Sequence, residues 1–267
     1  VFPYPAAVVN YYSPTFSAIV HTAQRVYNDF EDLSKNSQTA VPESGFNIYA
    51  DEDKEPFISF INGPEEASDS KIELQFFNCH QEVLHHTIHI KKLLPYETTI
   101  LYPAREIDLK RFLDGQEGAA KAHFHLKWIF PRLVVGNIRK SKPAMTITHT
   151  YYDCSEAKTD SDYWKASEQE WHPASLMVPL TPQDRAYTNI YFYPIYSPSA
   201  FTVDIEIYDK NGNLLGRKEK AATIISPGDS FTCIKLKELC ESLNISKEDH
   251  LADRILAHPC EGSRLPA

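Results

Sequence analysis

The sequence predicts an all-β protein made of two tandem antiparallel β-sandwich units behind a short N-terminal helical segment. Three observations predict it. One pattern occurs twice: Lys71-Ile-Glu-Leu-Gln-Phe-Phe77, a polar turn, Val83-Leu84 and Leu93-Leu-Pro-Tyr-Glu-Thr98 match Thr202-Val-Asp-Ile-Glu-Ile-Tyr208, Asp209-Lys-Asn-Gly-Asn213, Leu214-Leu215 and Ile224-Ile-Ser-Pro-Gly-Asp-Ser230. Each copy runs on to an amphipathic stretch, Leu109-Lys-Arg-Phe-Leu113 or Leu236-Lys-Glu-Leu239. Repetition on this scale implies two similar modules, each with its own core. Apolar residues then alternate with polar ones at period two over much of the chain. Finally, 15 Tyr, 14 Phe and 18 Pro stand beside only 9 Gly and 2 Met, a balance suited to strands and fixed turns.

Residues 1–45 form the N-terminal segment. Within Ser17–Leu33, the residues Ile19, Ala23, Val26, Phe30 and Leu33 fall near one helical stripe, which predicts an amphipathic helix. Ser34–Thr39 reads as a linker. The first sandwich is expected over residues 46–155. Phe57–Ile61 is a strand stopped by Asn62-Gly63-Pro64, and Ile72, Leu74 and Phe76 alternate with Glu73 and Gln75. Lys121–Trp128 alternates again, and Met145–Asp153 closes the unit. Residues 156–173 are a polar, acidic connector carrying Tyr163, Trp164 and Trp171. The second sandwich covers residues 174–267. Its hairpin is marked by Asn211-Gly212, because both residues tolerate positive φ. In the first unit Pro143-Ala144 leads into the closing strand, whereas the second stops at Pro266-Ala267. Two readings stay open: a second unit without its last strand, with a sheet edge that a partner chain could fill, or an accidental Pro-Ala match or a trimmed chain.

Charge and cysteine usage narrow the function classes. A net charge of −9 with only short basic clusters argues against nucleic acid as a partner. No stretch approaches the ~20 apolar residues of a membrane span. The opening Val1–Val9 lacks the basic start of an intact signal peptide, and a first residue other than Met suggests a processed or excised chain. Five cysteines with no C-x-x-C pair indicate neither a disulfide framework nor a zinc ribbon, so a reducing cytoplasm is the expected compartment. Asn244-Ile-Ser246 matches the N-glycosylation pattern, which also arises by chance.

No catalytic residue and no cofactor is assigned. The chain contains no G-x-S-x-G elbow and no phosphate loop. Cys154 follows Asp153, and a neighbouring carboxylate raises a thiol's pKa, so a strand-end cysteine is the expected role. The histidines leave two alternatives open. His85 and His89 share one strand face, His123 and His125 another, and His149 lies on a third strand. Neighbouring strands would bring these imidazoles together on a divalent metal for a metal-assisted hydrolase; otherwise they are solvated strand residues. Tyr163, Trp164 and Trp171 form either a stacking platform for a sugar or peptide, or packing that pins the connector.

Thr148-His-Thr-Tyr-Tyr-Asp-Cys-Ser155 resembles the His-Thr-x-x-Asp close of the sensory rhodopsin transducer family. The upstream Phe57–Asn62, Ile72–Phe76, Pro95 and Leu-Lys-Arg-Phe112 layout is similar as well, so the resemblance covers residues 46–155. It implies a small all-β sandwich that assembles into oligomers and binds a protein or small ligand without catalysis. The second copy lacks the His-Thr-x-x-Asp segment. The expected function is thus a noncatalytic binding or adaptor protein, self-associating or engaging a protein, a carbohydrate or another small molecule. His149 and Asp153 would make polar contacts, and Tyr163, Trp164 and Trp171 would stack. The alternatives are the metal-assisted hydrolase and a carbohydrate-binding module.

Overall fold

Among the described residues, the period-two alternation read from the sequence is realised mostly as strands. The computed structural model describes residues 6–23, 41–62, 66–125, 133–150, 164–166, 174–179, 188–194, 200–225, 230–245, 252–260 and 264–266. The chain divides into two compact units, Val1–Ser155 with Tyr193–Ile195, and Glu156–Phe192 with Tyr196–Ala267. The first unit contains β1 (Ala6–Ser13), β2 (Phe16–Ala23), β3 (Val41–Ile48), β4 (Lys54–Ile61), β5 (Ala67–Phe77), β6 (Val83–Leu93), β7 (Thr98–Leu101), α1 (Leu109–Leu113), β8 (Gly118–Phe124), β9 (Val134–Arg139) and β10 (Met145–His149). The second contains β11 (Trp164–Ala166), β12 (Ala174–Pro179), β13 (Asn189–Phe192), β14 (Phe201–Tyr208), β15 (Leu214–Ile224), β16 (Thr232–Lys235), α2 (Leu236–Ser242), β17 (Ala252–Pro259) and β18 (Arg264–Pro266). No helix among the described residues is long and apolar enough to cross a membrane.

Two antiparallel four-stranded sheets, ordered β3-β8-β5-β6 and β10-β9-β4-β7, share one core in the first unit. On β5, Ile72, Leu74 and Phe76 point into that core while Lys71, Glu73 and Gln75 line the outer face. Phe46 and Ile48 from β3, Ile58 and Phe60 from β4, and Ala120, Ala122 and Phe124 from β8 complete it. The rings of Phe60 and Phe124 meet edge to face at 5.2 Å, an arrangement aromatic quadrupoles favour. Helix α1 is capped by Asp108, whose carboxylate accepts from Arg111 N, and ends at Asp114 in the left-handed region. It sends Leu109 and Leu113 into the same core.

The turn joining β5 to β6 is closed by one side chain. Asn78 Oδ1 accepts from His80 N and Glu82 N, each at 3.0 Å, and Nδ2 donates to Glu82 Oε2 at 2.7 Å and to Phe112 O at 3.1 Å. Gln81 takes the positive φ the turn requires. The β14–β15 turn repeats this geometry. Asp209 Oδ1 accepts from Asn211 N and Asn213 N at 2.7 and 2.8 Å, and Gly212 holds the positive φ. The Asn213 side-chain amide, which donates to Oδ2 at 2.9 Å, and then the Asn213 N–H hold the Asp209 carboxyl below its ordinary range.

The second unit orders its larger sheet β12-β17-β14-β15, with β13-β16 and β11-β18 as two-stranded sheets. Position for position this is the order β3-β8-β5-β6, and β13-β16 stands where β4-β7 does. Strands β9 and β10 have no counterpart beside β13 among the described residues. Val203, Ile205 and Ile207 of β14, Ile234 of β16, and Leu236 and Leu239 of α2 form the second core.

The predicted helix at Ser17–Leu33 is corrected over its first part, where Ser17–Ala23 lies in strand β2, paired residue for residue with β1. Gln24–Leu33 lies outside the described residues. Phe16, Ala18 and Val20 alternate with Ser17, Ile19 and His21, and β-branched residues favour a pleated surface. The helical stripe rested largely on Val26, Phe30 and Leu33 and misread this start. Val20 is buried on one side of the ribbon, while Val8, Tyr12 and Ile19 are exposed on the other.

Two positions make the fold testable. A Cβ on Gly136 of β9 would collide with the Thr146 carbonyl oxygen of β10 and lie 2.9 Å from the Phe57 ring, so only glycine fits. Gly136→Ala should cost about 2–3 kcal/mol in denaturant unfolding. Asp253 of β17 sits opposite Ile207, fully buried, and neither carboxylate oxygen has a hydrogen-bond partner among the described residues. Burial pushes its pKa up to about 6. The native state therefore holds a proton that the unfolded chain releases between the ordinary carboxylate value and about 6, so stability falls as pH rises through that window. Asp253→Asn should remove this fall and raise stability near pH 7 by about 2 kcal/mol; equal pH profiles for both proteins would refute the assignment.

Candidate functional site

The outer face of β8, β5 and β6 gathers most of the polar chemistry of the first unit. Side chains alternate across a strand, so His85, Thr87, His89 and Lys91 share the solvent side of β6. Lys71, Glu73 and Gln75 share that side of β5, Lys121 and His123 that of β8, and His125 follows one residue past the end of β8. Register sets them opposite one another: His85 with Gln75, Thr87 with Glu73, His89 with Lys71, Lys121 with Gln75 and His123 with Glu73.

Glu73 is the centre of this face. Lys71 Nζ donates to Oε1 at 2.5 Å, and His125 Nε2 lies 2.7 Å from Oε2. The Lys71 ammonium, and then the His125 imidazole, hold the carboxyl down at about 2. Beside the pair lies a shallow depression of about 440 Å³ lined by Asp69, Ser70, Lys71, His89, Lys91 and His125. Lys91 has no carboxylate partner among the described residues, and His89 is exposed.

The matching face of the second unit is arranged differently. Asp204 of β14 takes the place of Glu73, and His258 of β17 that of His125, with Nε2 3.2 Å from Asp204 Oδ2. Both Asp204 and Glu206 are nearly buried. Asp204 accepts from Lys220 N at 2.8 Å and from Arg217 Nη2 at 2.7 Å. Burial pushes its carboxyl up, but the Lys220 amide and Arg217 outweigh that and leave it below its ordinary value. Glu206 accepts from the Tyr208 hydroxyl at 2.6 Å and faces Arg217 and Arg254 at 3.5 and 3.6 Å. Two carboxylates and two guanidiniums thus neutralise one another.

The predicted site residues divide accordingly. His85, His89, His123 and His125 share the outer face, but His149 does not join them. It ends β10 on the other sheet, where its Nδ1 donates to Thr150 O at 3.0 Å and its ring meets that of His21 at 5.9 Å. Among the described residues no group of three or more His, Cys, Asp or Glu side chains is placed to hold a metal. Trp164 opens strand β11, while Asp153, Cys154, Tyr163 and Trp171 lie outside the described residues. Sequence reasoning missed Glu73 and Lys71; the available signal was the Lys-x-Glu-x-Gln alternation on the polar side of Ile72 and Leu74.

Compared with known proteins, the chain matches no family model, no curated protein and no solved structure.

Since Lys71 is the largest source of the low Glu73 pKa, Lys71→Met should raise it from about 2 toward the ordinary carboxylate range in a carboxyl-carbon NMR titration. The stabilisation this pair supplies is present above that range and is lost as pH falls toward about 2. An unmoved midpoint would show that Lys71 is not the source.

Proposed function

We propose that the protein is a noncatalytic binding protein built from tandem β-sandwich modules, engaging its ligand or partner through the outer face of β8, β5 and β6. The observation that carries this reading is the composition of that face. Four imidazoles and three lysines share that face with Glu73, two of each lining an open depression, in a chain whose net charge is −9. Exposed polar residues clustered on a rigid sheet, rather than dispersed, are what a recognition surface needs. The shared sheet order and the turns built alike on Asn78 and Asp209 support a duplicated module. The second copy keeps a carboxylate–imidazole pair but encloses it in a balanced ion network. Duplication followed by divergence of one face toward binding accounts for that difference. The resemblance to the transducer family fits the same noncatalytic class.

The test is a ligand search with isotope-labelled protein against a glycan and small-molecule library. The wild type should show saturable shifts confined to β5, β6 and β8. The charge reversal Lys91→Glu should weaken binding by roughly tenfold or more while leaving the melting temperature unchanged. A ligand that maps elsewhere, or one that the protein converts to product, would overturn the reading.

A further inference from the structure

We infer that the open edge of β6 binds an extended acidic segment of a partner protein, which joins the β3-β8-β5-β6 sheet as a further strand. This names the partner of the proposed binding protein and rests on β6 belonging to its recognition surface.

The backbone carries the inference. β6 ends its sheet and, among the described residues, pairs with β5 alone. Successive residues of a strand turn their N–H and C=O groups to alternate sides. The Lys71 carbonyl accepts from His125 N at 3.0 Å, so Lys71 faces β8, and Ile72, Leu74 and Phe76 face β6. Their partners on β6 are Ile88, His86 and Leu84. The intervening Val83, His85, Thr87, His89 and Lys91 therefore direct both backbone groups away from the sheet. All of these residues are exposed. Leu93 obeys the same rule, and its outward carbonyl accepts from Asn62 Nδ2 at 3.4 Å, which marks the end of the open row. Donors and acceptors that repeat every ~6.8 Å along a strand match an extended polypeptide, whose own groups repeat at that distance.

The corresponding edge of the second unit is blunted. β15 shifts register twice against β14, and its Lys220 takes a positive φ. Such irregularities break the row of outward groups and keep a sheet from adding strands. β6 instead keeps one register with β5 along its whole length.

Side chains decide the occupant. β6 carries Lys91 and Lys92 and no Asp or Glu, so a second copy paired through the same edge would bring more lysines and no carboxylate to meet them. Lys92 is paired with Glu66, whereas Lys91 makes no ion pair among the described residues. Asp69 lines the same depression without forming one with it. A carboxylate on the incoming strand reaches the Lys91 ammonium at the edge, and this contact needs no histidine proton. The backbone ladder then supplies most of the affinity, and the ion pair sets direction and register. On the inner side Leu84 is half-buried at the margin of the core, so apolar residues alternate with the polar ones of the incoming strand.

The experiment is an NMR titration of the full chain with a capped peptide, Phe201-Thr-Val-Asp-Ile-Glu-Ile-Tyr208, which is the sequence of β14 and an acidic strand of period two. The amides of Val83, His85, Thr87, His89 and Lys91 should shift, and their hydrogen exchange should slow by roughly tenfold or more at saturation. Ile88 and Ile90, already bonded to β5, should change little. The same peptide N-methylated along its centre should not bind, and one with Asn and Gln in place of its acids should bind roughly tenfold more weakly. Thr87→Pro removes an outward donor and leaves the ladder to β5 intact, so it should abolish binding with little change in melting temperature. Lys91→Glu, which keeps the edge whole, should weaken the acidic peptide and not the neutral one. Binding that survives N-methylation, equal binding of the acidic and neutral peptides, or no binding at all would overturn the inference. So would slow exchange of the same amides in the free protein together with a concentration-dependent dimer, which would assign the edge to a second copy. In each of these cases, shifts on the outer face of β5, β6 and β8 in the library search would still uphold the proposed function.

Discussion

The register between β5 and β6 is the constraint on which the first unit depends, and Asn78 sets it. In a two-faced strand, a slip of one residue would move Ile72, Leu74 and Phe76 to solvent and carry Lys71, Glu73 and Gln75 into the core. Asn78 prevents this by satisfying two amides of the turn with one oxygen, while its amide group ties the turn to Glu82 and to the Phe112 carbonyl at the end of α1. Buried and fully bonded, it links the hairpin to the helix that seals one end of the core. The pairing of His89 with Lys71, and of Thr87 with Glu73, follows from this turn. So does the assembly of the imidazole-rich face.

Similar turn chemistry in the second unit leads to another electrostatic outcome. Asp209 closes its hairpin as Asn78 does, and β14 again buries three apolar residues while presenting carboxylates outward. There the neighbouring strands supply guanidiniums. Arginine's planar fork lets Arg217 reach both Asp204 and Glu206, and the carboxylates sink to low exposure beneath it. In the first unit the neighbours are imidazoles and lysines. Lysine gives a single charged point rather than a fork, so Glu73 stays half exposed between Lys71 and His125. A shared strand pairing with different partner chemistry separates a network that holds the sheet together from one open to solvent.

Much of this was legible from the residues. Alternation located β5, β8 and β14. Asn211-Gly212 marked one hairpin, and four of the five singled-out histidines share a face because strands 71–77, 83–93 and 118–124 are neighbours. Three things were not legible. Spacing alone did not separate strand from helix at Ser17–Ala23, since Ile19 and Ala23 fit a helical stripe as well as Phe16, Ala18 and Val20 fit a pleat. The pairing order of the strands, which leaves His149 on the opposite sheet, depends on contacts distant in sequence. The segment Asn-Cys-His-Gln-Glu82 read only as a polar turn; without the glycine that advertised the second hairpin, its closure by the Asn78 side chain went unmarked.

The proposed site has to solve a problem set by the rest of the chain. A protein with a net charge of −9 that displayed a permanently basic patch would attract the acidic surfaces of its own copies. Glu73 and Asp69 counter this by answering the two lysines of the depression, so that the face presents hydrogen-bonding groups with little net field. Glu73 keeps its side of that balance because the Lys71 ammonium, and then the His125 imidazole, hold its carboxyl down at about 2.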